Sequence, residues 1–131
     1  MYEMKPEYFT GITLIDEEHK QLFAYANEAY DLLQEEFIPD KYDRIVAILQ
    51  ELRNYTKKHF SDEEAYMESI QYKRIFTQKI QHQEFIDKLD NIDIDSIEAG
   101  ENQDEAIIDI LEFLTNWLIH HILELDTLIG K

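Results

Sequence analysis

The stretch IVAILQELRNYTKKHFSDEEAYM, residues 45–67, decides the fold because its apolar residues recur at helical spacing. Every third or fourth residue falls on one stripe, which is typical of an amphipathic helix with one buried face. The stripe comprises Ile45, Leu49, Leu52, Thr56, His59, Glu63 and Met67. His59 and Glu63 stand where apolar residues belong, so the segment predicts a core helix that turns two polar side chains inward.

Three further segments predict helices. The first helix is predicted from Asp16 to Phe37. Pro39-Asp40 then ends this helix and starts the second one, because proline is tolerated at a helix start but not in its interior. A break around Ser69–Tyr72 leads to the third helix, residues 91–103 read as the longest loop, and the last helix spans about residues 104–129. The predicted inward positions are His19, Leu22, Phe23, Ala26, Tyr30, Leu33 and Phe37 in the first helix, Ile75, Gln78, His82, Phe85, Ile86 and Leu89 in the third, and Ile107, Leu111, Leu114, Leu118, His121, Leu125 and Leu128 in the fourth.

Four amphipathic helices joined by short connections predict an all-α protein. The expected architecture is an up-down-up-down four-helix bundle, preceded by an N-terminal arm of about 15 residues. A chain of 131 residues fits one domain, so residues 1–131 are predicted to form a single unit.

Composition excludes several functions. The chain has 12 basic and 29 acidic residues, a net charge of −17, which argues against nucleic-acid binding and against docking on anionic membranes. It has no cysteine, which excludes disulfides, thiolate zinc sites and iron–sulfur clusters. The amino terminus lacks a signal-peptide pattern and no uninterrupted apolar run approaches membrane-spanning length, so the cytoplasm is the expected location.

The informative feature is that each predicted helix turns one histidine inward. These are His19, His59, His82 and His121, whereas His120 is expected on a flank. Burying a neutral polar group without a partner costs roughly 2–7 kcal/mol. One shared metal site satisfies all four side chains, and histidine with carboxylate ligands suits iron, manganese or zinc.

Spacing supports a shared site. His59 and Glu63 are four residues apart, as are Gln78 and His82, and such pairs lie on one helix face. Asp126 follows His121 by five residues, about 140° around an ideal helix. Either Asp126 reaches sideways into the site, or the helix is locally widened there.

Each of these residues also has an ordinary interpretation. A lone inward histidine is commonly a core residue with a hydrogen-bond partner, and His59 with Glu63 is also the spacing of a surface ion pair. What favours the metal site is the coincidence of four histidines on the inward stripes of four separate helices.

With these residues in order, the sequence resembles the hemerythrin family, and the bacterial single-domain hemerythrins in particular. The resemblance covers nearly the whole chain, and its motifs occur in sequence at matching spacings. They are Gly11-Ile12, Ile15-Asp16-x-x-His19-Lys20-x-Leu22-Phe23, Asn27, His59-Phe60-x-x-Glu63-Glu64-x-x-Met67, His82-x-x-Phe85 and Trp117-Leu118-x-x-His121-Ile122-x-x-x-Asp126.

The resemblance implies a non-haem centre of two iron ions, bridged by an oxide or hydroxide, that binds O2 reversibly. By the same resemblance, His19 and His59 hold the iron that has an open position for O2. His82 and His121 hold the second iron, and the carboxylates of Glu63 and Asp126 bridge the pair. The residues expected to line an apolar O2 pocket are Phe60, Trp117, Leu118 and Ile122.

Gln78 departs from the family pattern, which has a histidine four residues before His82. The glutamine is expected to offer an oxygen ligand to the second iron or to hydrogen-bond a water there. The expected function is therefore O2 binding as carrier, store or sensor. The alternatives are a di-iron peroxidase or oxidase, or a metal-binding protein inactive toward O2, so an enzymatic role stays open. Expected small ligands besides O2 are peroxide, azide and NO.

Overall fold

The computed structural model describes residues 2–35, 39–92 and 103–130, and all regular structure within these ranges is helical. α1 packs against α2 and α4, and α2 packs against α3, which makes the predicted four-helix bundle. The elements are a 3-10 turn at Pro6–Tyr8, α1 (Thr13–Gln34), α2 (Lys41–Ser69), α3 (Ile75–Asp90), α4 (Gln103–His121), a π-helical turn at Ile122–Asp126 and α5 (Thr127–Ile129).

The predicted breaks before and after the second helix coincide with the turns that flank α2. α2 begins directly after Asp40, whose left-handed φ of 56° follows Pro39, and it ends before Gln71, whose φ is 54°. α1 starts three residues earlier than predicted, which shortens the N-terminal arm to the residues before Thr13. Phe37 and most of the predicted loop at 91–103 lie outside the described residues.

The core has two apolar parts with a polar layer between them. The larger part fills most of the bundle and includes Leu22, Leu49, Leu52, Phe60, Ile107 and Leu111. The smaller part, formed by Ile15, Met67 and Ile129, lies at one end. The buried polar layer between them comprises His19, His59, Glu63, Gln78, His82, His121 and Asp126.

The end of the fourth helical segment differs from the prediction. Leu125 and Leu128 are half-buried, whereas the residues one position along, Asp126 and Ile129, are buried. The π-helical turn explains this shift, because its wider winding takes up one extra residue and rotates everything after it.

One helical run is long and apolar enough to cross a membrane by length and composition alone. It extends from Gln103 to Ile129. Its inward face packs in the bundle core and carries the buried His121 and Asp126. A core helix of a bundle passes the same test, so this run is weak evidence for a membrane span.

The N-terminal arm is fastened to the start of α1 by Asp16. The buried carboxylate accepts hydrogen bonds from the Thr10 backbone N–H and hydroxyl, both at 2.8 Å, and from the Gly11 N–H at 3.1 Å. The chain end meets the arm at the same place. A side chain at Gly130 would collide with the Thr10 carbonyl oxygen, so only glycine fits this close approach.

Replacing Asp16 with alanine should destabilise the fold. The change leaves the buried Thr10 groups without an acceptor, at a cost of about 1–3 kcal/mol for an unsatisfied buried donor. Thermal unfolding of Asp16→Ala and of Asp31→Ala, an exposed aspartate on the same helix, provides the comparison. Equal melting temperatures for the two variants would show that Asp16 does not hold the arm.

Candidate metal centre

The structure brings the predicted polar residues of all four helices together. His19 comes from α1, His59 and Glu63 from α2, and Gln78 and His82 from α3. His121 ends α4 and Asp126 ends the π-helical turn. Each is at most 3% exposed, so the seven side chains form a buried cluster within the bundle. His120, which was expected on a flank, is exposed.

The π-helical turn places Asp126 in this cluster. On a regular α-helix a residue five positions after His121 would face about 140° away. The wider turn from Ile122 to Asp126 brings the Asp126 carboxylate to 3.2 Å from His121 Nε2. Of the two alternatives left open by the sequence, local widening of the helix is the one that the structure shows.

The cluster divides into two overlapping groups of possible metal ligands. The first contains His19, His59, Glu63 and Asp126, and the second contains Glu63, His82, His121 and Asp126. Within each group the ligand atoms lie within 4.8 Å of one another. Both carboxylates belong to both groups, which is the arrangement that two bridging ligands require.

Each carboxylate divides its two oxygens between the groups. Glu63 Oε2 lies 3.3 Å from His59 Nε2, and Glu63 Oε1 lies 3.1 Å from His82 Nε2. Asp126 Oδ2 lies 3.1 Å from His19 Nε2, and Asp126 Oδ1 lies 3.2 Å from His121 Nε2. One oxygen of each acid therefore faces each pair of histidines.

Several buried atoms at the centre have no hydrogen-bond partner. They are both nitrogens of His19, His59 Nε2, both oxygens of Glu63, Gln78 Oε1 and Asp126 Oδ2. Buried polar groups are normally hydrogen-bonded, and leaving one unpaired costs free energy. These nitrogen and oxygen atoms converge on one another but have no hydrogen-bond partner, and their chemistry fits divalent metal ions of the iron, manganese or zinc type.

The electrostatics of the metal-free cluster favour charged side chains. Burial lowers the pKa of the His59 imidazole, but the Glu18 and Glu63 carboxylates outweigh it and raise this pKa to about 10. Asp126 and Glu63 likewise raise the pKa of His19 against the effect of burial. Burial raises the pKa of Glu63, but the neighbouring imidazoles of His19, His59 and His82 hold it well below its usual range.

Gln78 lies beside the second group. Its side-chain Nε2 donates a hydrogen bond to Asp126 Oδ1 at 3.0 Å, and its Oε1 is buried without a partner. The side chain is fully buried, one turn before His82. The amide therefore already contacts one of the two shared carboxylates.

Aromatic rings cover one side of the cluster. The Phe60 ring stacks on the His82 imidazole with centroids 3.9 Å apart, and the Trp117 ring stacks on the His121 imidazole at 4.5 Å. Phe60 and Leu118 also line an apolar cavity of about 20 Å³. Trp117 and Ile122 do not line it, although Ile122 is fully buried.

Three hydrogen-bond partners of the histidines were missed by the sequence reasoning. Glu18 Oε1 lies 3.0 Å from His59 Nδ1, and Glu64 Oε2 lies 2.8 Å from His82 Nδ1. Gln81 Oε1 lies 2.9 Å from His121 Nδ1. The signal available in the sequence was adjacency, since each partner directly precedes or follows a residue of the cluster.

The fold and this cluster define a class: helical bundle proteins with a buried metal centre built from histidine and carboxylate side chains. Comparison with known families gives the particular one. The family described as the hemerythrin HHE cation binding domain matches residues 10–130, and the chain belongs to the hemerythrin family. This is a family of non-haem di-iron, O2-binding proteins.

Individual relatives agree with this assignment. The chain is 45% identical to a bacteriohemerythrin of Clostridium acetobutylicum, with 96% of each chain covered. It is 32% identical to a hemerythrin of Phascolopsis gouldii, with 95% of this chain and 87% of that protein covered. A crystal structure of a leucine-to-phenylalanine mutant of another protein superposes with a TM-score of 0.80 at 25% identity, covering 99% of this chain and 96% of the other.

Loading the protein with iron(II) should release protons at neutral pH. The pKa of His59 lies above its usual 6.5, so the proton on His59 stabilises the iron-free fold fully below about pH 6.5, and this contribution is lost as the pH rises through about 10. A metal ligand must be a neutral imidazole, so metal displaces the proton and iron(II) affinity rises with pH. Anaerobic calorimetric titration in buffers of different protonation enthalpy counts the protons. Binding without proton release would contradict the raised pKa.

Proposed function

We propose that the cluster holds two iron ions and that the protein binds O2 there as a carrier, store or sensor. His19 and His59 would hold one ion, His82 and His121 the other, and Glu63 and Asp126 would bridge them. The observation that supports this most is the sharing of both carboxylates between the two groups of ligands. When bound, the iron pair supplies the redox-active centre at which O2 is taken up.

The charges of the cluster suit two divalent cations in a dry core. Glu63 is held in its ionised form by the surrounding histidines, and Asp126 faces both groups. Two bridging carboxylates, together with an oxide or hydroxide, partly neutralise the pair of ions, which lowers the cost of burying them. A separation of about 3–4 Å, typical of two-metal sites, is expected.

The apolar cavity suits a small apolar ligand such as O2. Its volume of about 20 Å³ is enough for roughly one water-sized molecule. The Thr56 and Thr115 hydroxyls on its wall donate to the carbonyls of Leu52 and Leu111 in their own helices. A wall this poor in free polar groups holds water badly and excludes it from the site. Trp117 and Ile122 do not line this cavity, and Trp117 stacks on His121. Their proposed role is therefore to cover the histidine side of the site.

Peroxide, azide and NO are further ligands that we propose for the same site, since each is small enough to reach an open metal position. We also propose a cytoplasmic protein without nucleic-acid or membrane partners. The absence of such partners is supported by the net charge of −17, which repels phosphate backbones and anionic lipid surfaces.

A second function, a di-iron peroxidase or oxidase, is favoured by Gln78. The neighbourhood of the second group offers His82 and His121 but a glutamine where the family has a third histidine. The unpartnered Gln78 Oε1 is available as an oxygen ligand or as the partner of a bound water. Because an amide oxygen binds divalent iron more weakly than imidazole does, the second ion would be more open to reacting ligands.

Replacing Glu63 with alanine should abolish the di-iron centre. We expect about two iron ions per chain in the wild type, as two-metal sites require. We also expect an absorption band in the visible spectrum that forms with O2 and is lost reversibly. Glu63→Ala should lose iron and band together, because it removes an oxygen from each group of ligands. Elemental analysis and optical spectra after iron(II), O2 and dithionite provide the measurements.

The matched control is Glu68→Ala, which alters an exposed acid on the same helix. A single tightly bound zinc ion, unaffected by Glu63→Ala, would contradict the di-iron proposal. Irreversible bleaching or turnover would favour the peroxidase or oxidase, and iron without a band would indicate a metal-binding protein inactive toward O2.

Replacing Gln78 with histidine should tighten iron retention and slow oxidation of the reduced centre by O2. The imidazole is a stronger ligand for divalent iron than the amide oxygen. Iron content after dialysis and the autoxidation rate are compared with those of Gln83→His, which adds a histidine at an exposed position of the same helix. If Gln78→His behaves like the wild type in both measurements, Gln78 is only a core residue and the enzymatic alternative loses its main support.

A further inference from the structure

The partners of the histidine Nδ1 atoms follow a regular order around the bundle. Glu18 of α1 pairs with His59 of α2, Glu64 of α2 pairs with His82 of α3, and Gln81 of α3 pairs with His121 of α4. Each helix thus supports the histidine of the next helix in the chain, using a residue adjacent to one of its own cluster residues. His19 Nδ1 is the exception, since it is buried without a partner.

We infer that Glu18, Glu64 and Gln81 are positioning residues, which we call the interhelical braces, and that they fix which nitrogen of each histidine faces the metal pair. This inference rests on the proposed di-iron site. An imidazole whose Nδ1–H is held by an acceptor presents Nε2 as its lone-pair atom. The Nε2 atoms of His59, His82 and His121 are the atoms that face Glu63 and Asp126.

The three braces differ in charge, and we expect this difference to change how strongly each one acts on its histidine. Glu18 and Glu64 offer carboxylates, which accept stronger hydrogen bonds from an N–H and make the imidazole a more basic ligand. Gln81 offers a neutral amide oxygen. Each proposed iron therefore has one histidine with a carboxylate brace, His59 for the first ion and His82 for the second.

Glu18 is the brace with the most defined surroundings. Its side chain is only 4% exposed, and its second oxygen accepts a hydrogen bond from Lys58 Nζ at 3.0 Å. Lys58 in turn bonds Asp62 at 2.7 Å, which gives the lysine a second partner. Both Glu18 oxygens are occupied and directed, so the carboxylate cannot rotate without losing a hydrogen bond.

The test compares Glu18→Ala, Glu18→Gln and the control Glu17→Ala. Glu17 is the neighbouring acid on the same helix, and its side chain is 63% exposed. We expect Glu18→Ala to weaken iron retention against a chelator by about 10–100-fold, the usual effect of removing such a partner. Glu18→Gln, which keeps an acceptor but loses the charge, should fall between Glu18→Ala and the wild type. Glu17→Ala should match the wild type.

A spectroscopic readout separates positioning from a purely structural role. In the zinc-loaded protein, the ring Nδ1 proton of His59 should resonate far downfield in a proton–nitrogen correlation spectrum. It should move upfield in Glu18→Gln and further in Glu18→Ala, while circular dichroism stays unchanged.

Two outcomes would overturn the inference or its basis, and they are distinguishable. If the wild type binds two metal ions and Glu18→Ala retains them equally well with an unmoved His59 signal, the brace has no positioning role. If the wild type itself fails to bind two ions, the proposed di-iron site fails. If Glu18→Ala does not fold, the comparison of Glu18→Gln with Glu17→Ala decides by the same two measurements.

Discussion

The carboxylates of Glu63 and Asp126 are fully buried between the helices of the bundle, and much of the remaining architecture provides partners for these two acids. A buried charge without partners is among the most destabilising features that a fold can contain. Here the two acids are enclosed by four histidines, one from each of the four long helices. No pair of helices supplies both groups of ligands by itself, so the compensation exists only when the bundle is complete.

This requirement explains why the core is divided. Apolar packing alone would favour one continuous interior, yet the polar cluster separates the small group of Ile15, Met67 and Ile129 from the main core. The small group covers the end of the cluster, and the N-terminal arm closes over that end through Asp16. The aromatic rings of Phe60 and Trp117 cover another side. The result is a polar centre from which water is excluded in several directions.

Much of this could be predicted from the sequence, because helical periodicity is a local property. The stripe that includes His59 and Glu63 predicted both the core face of α2 and the polar residues that interrupt it. The same helical period did not predict which residues are buried after α4. Leu125 and Leu128 fit the pattern there, but Asp126 and Ile129 are the buried residues. The identities of residues do not show where a helix widens, although the five-residue spacing of His121 and Asp126 raised that alternative. The partners Glu18, Glu64 and Gln81 were also missed, because their contacts join different helices and depend on helix rotation rather than on spacing.

The π-helical turn links two properties of the molecule, namely the position of the Asp126 carboxylate and the packing at the end of the bundle. It amounts to one residue inserted into a regular helix, and a single deletion between Ile122 and Asp126 would restore the ordinary winding. Deleting that residue would leave Asp126 four residues after His121 and still on the cluster face. Winding all the present residues as a regular α-helix would instead turn Asp126 about 100° out of the cluster and, in the same movement, turn Ile129 away from Ile15 and Met67. The same rotation would carry Gly130 off the Thr10 backbone, where only glycine fits. The position of the carboxylate and the closure of the bundle end are therefore set by the winding of one turn, and a change in that winding alters both together.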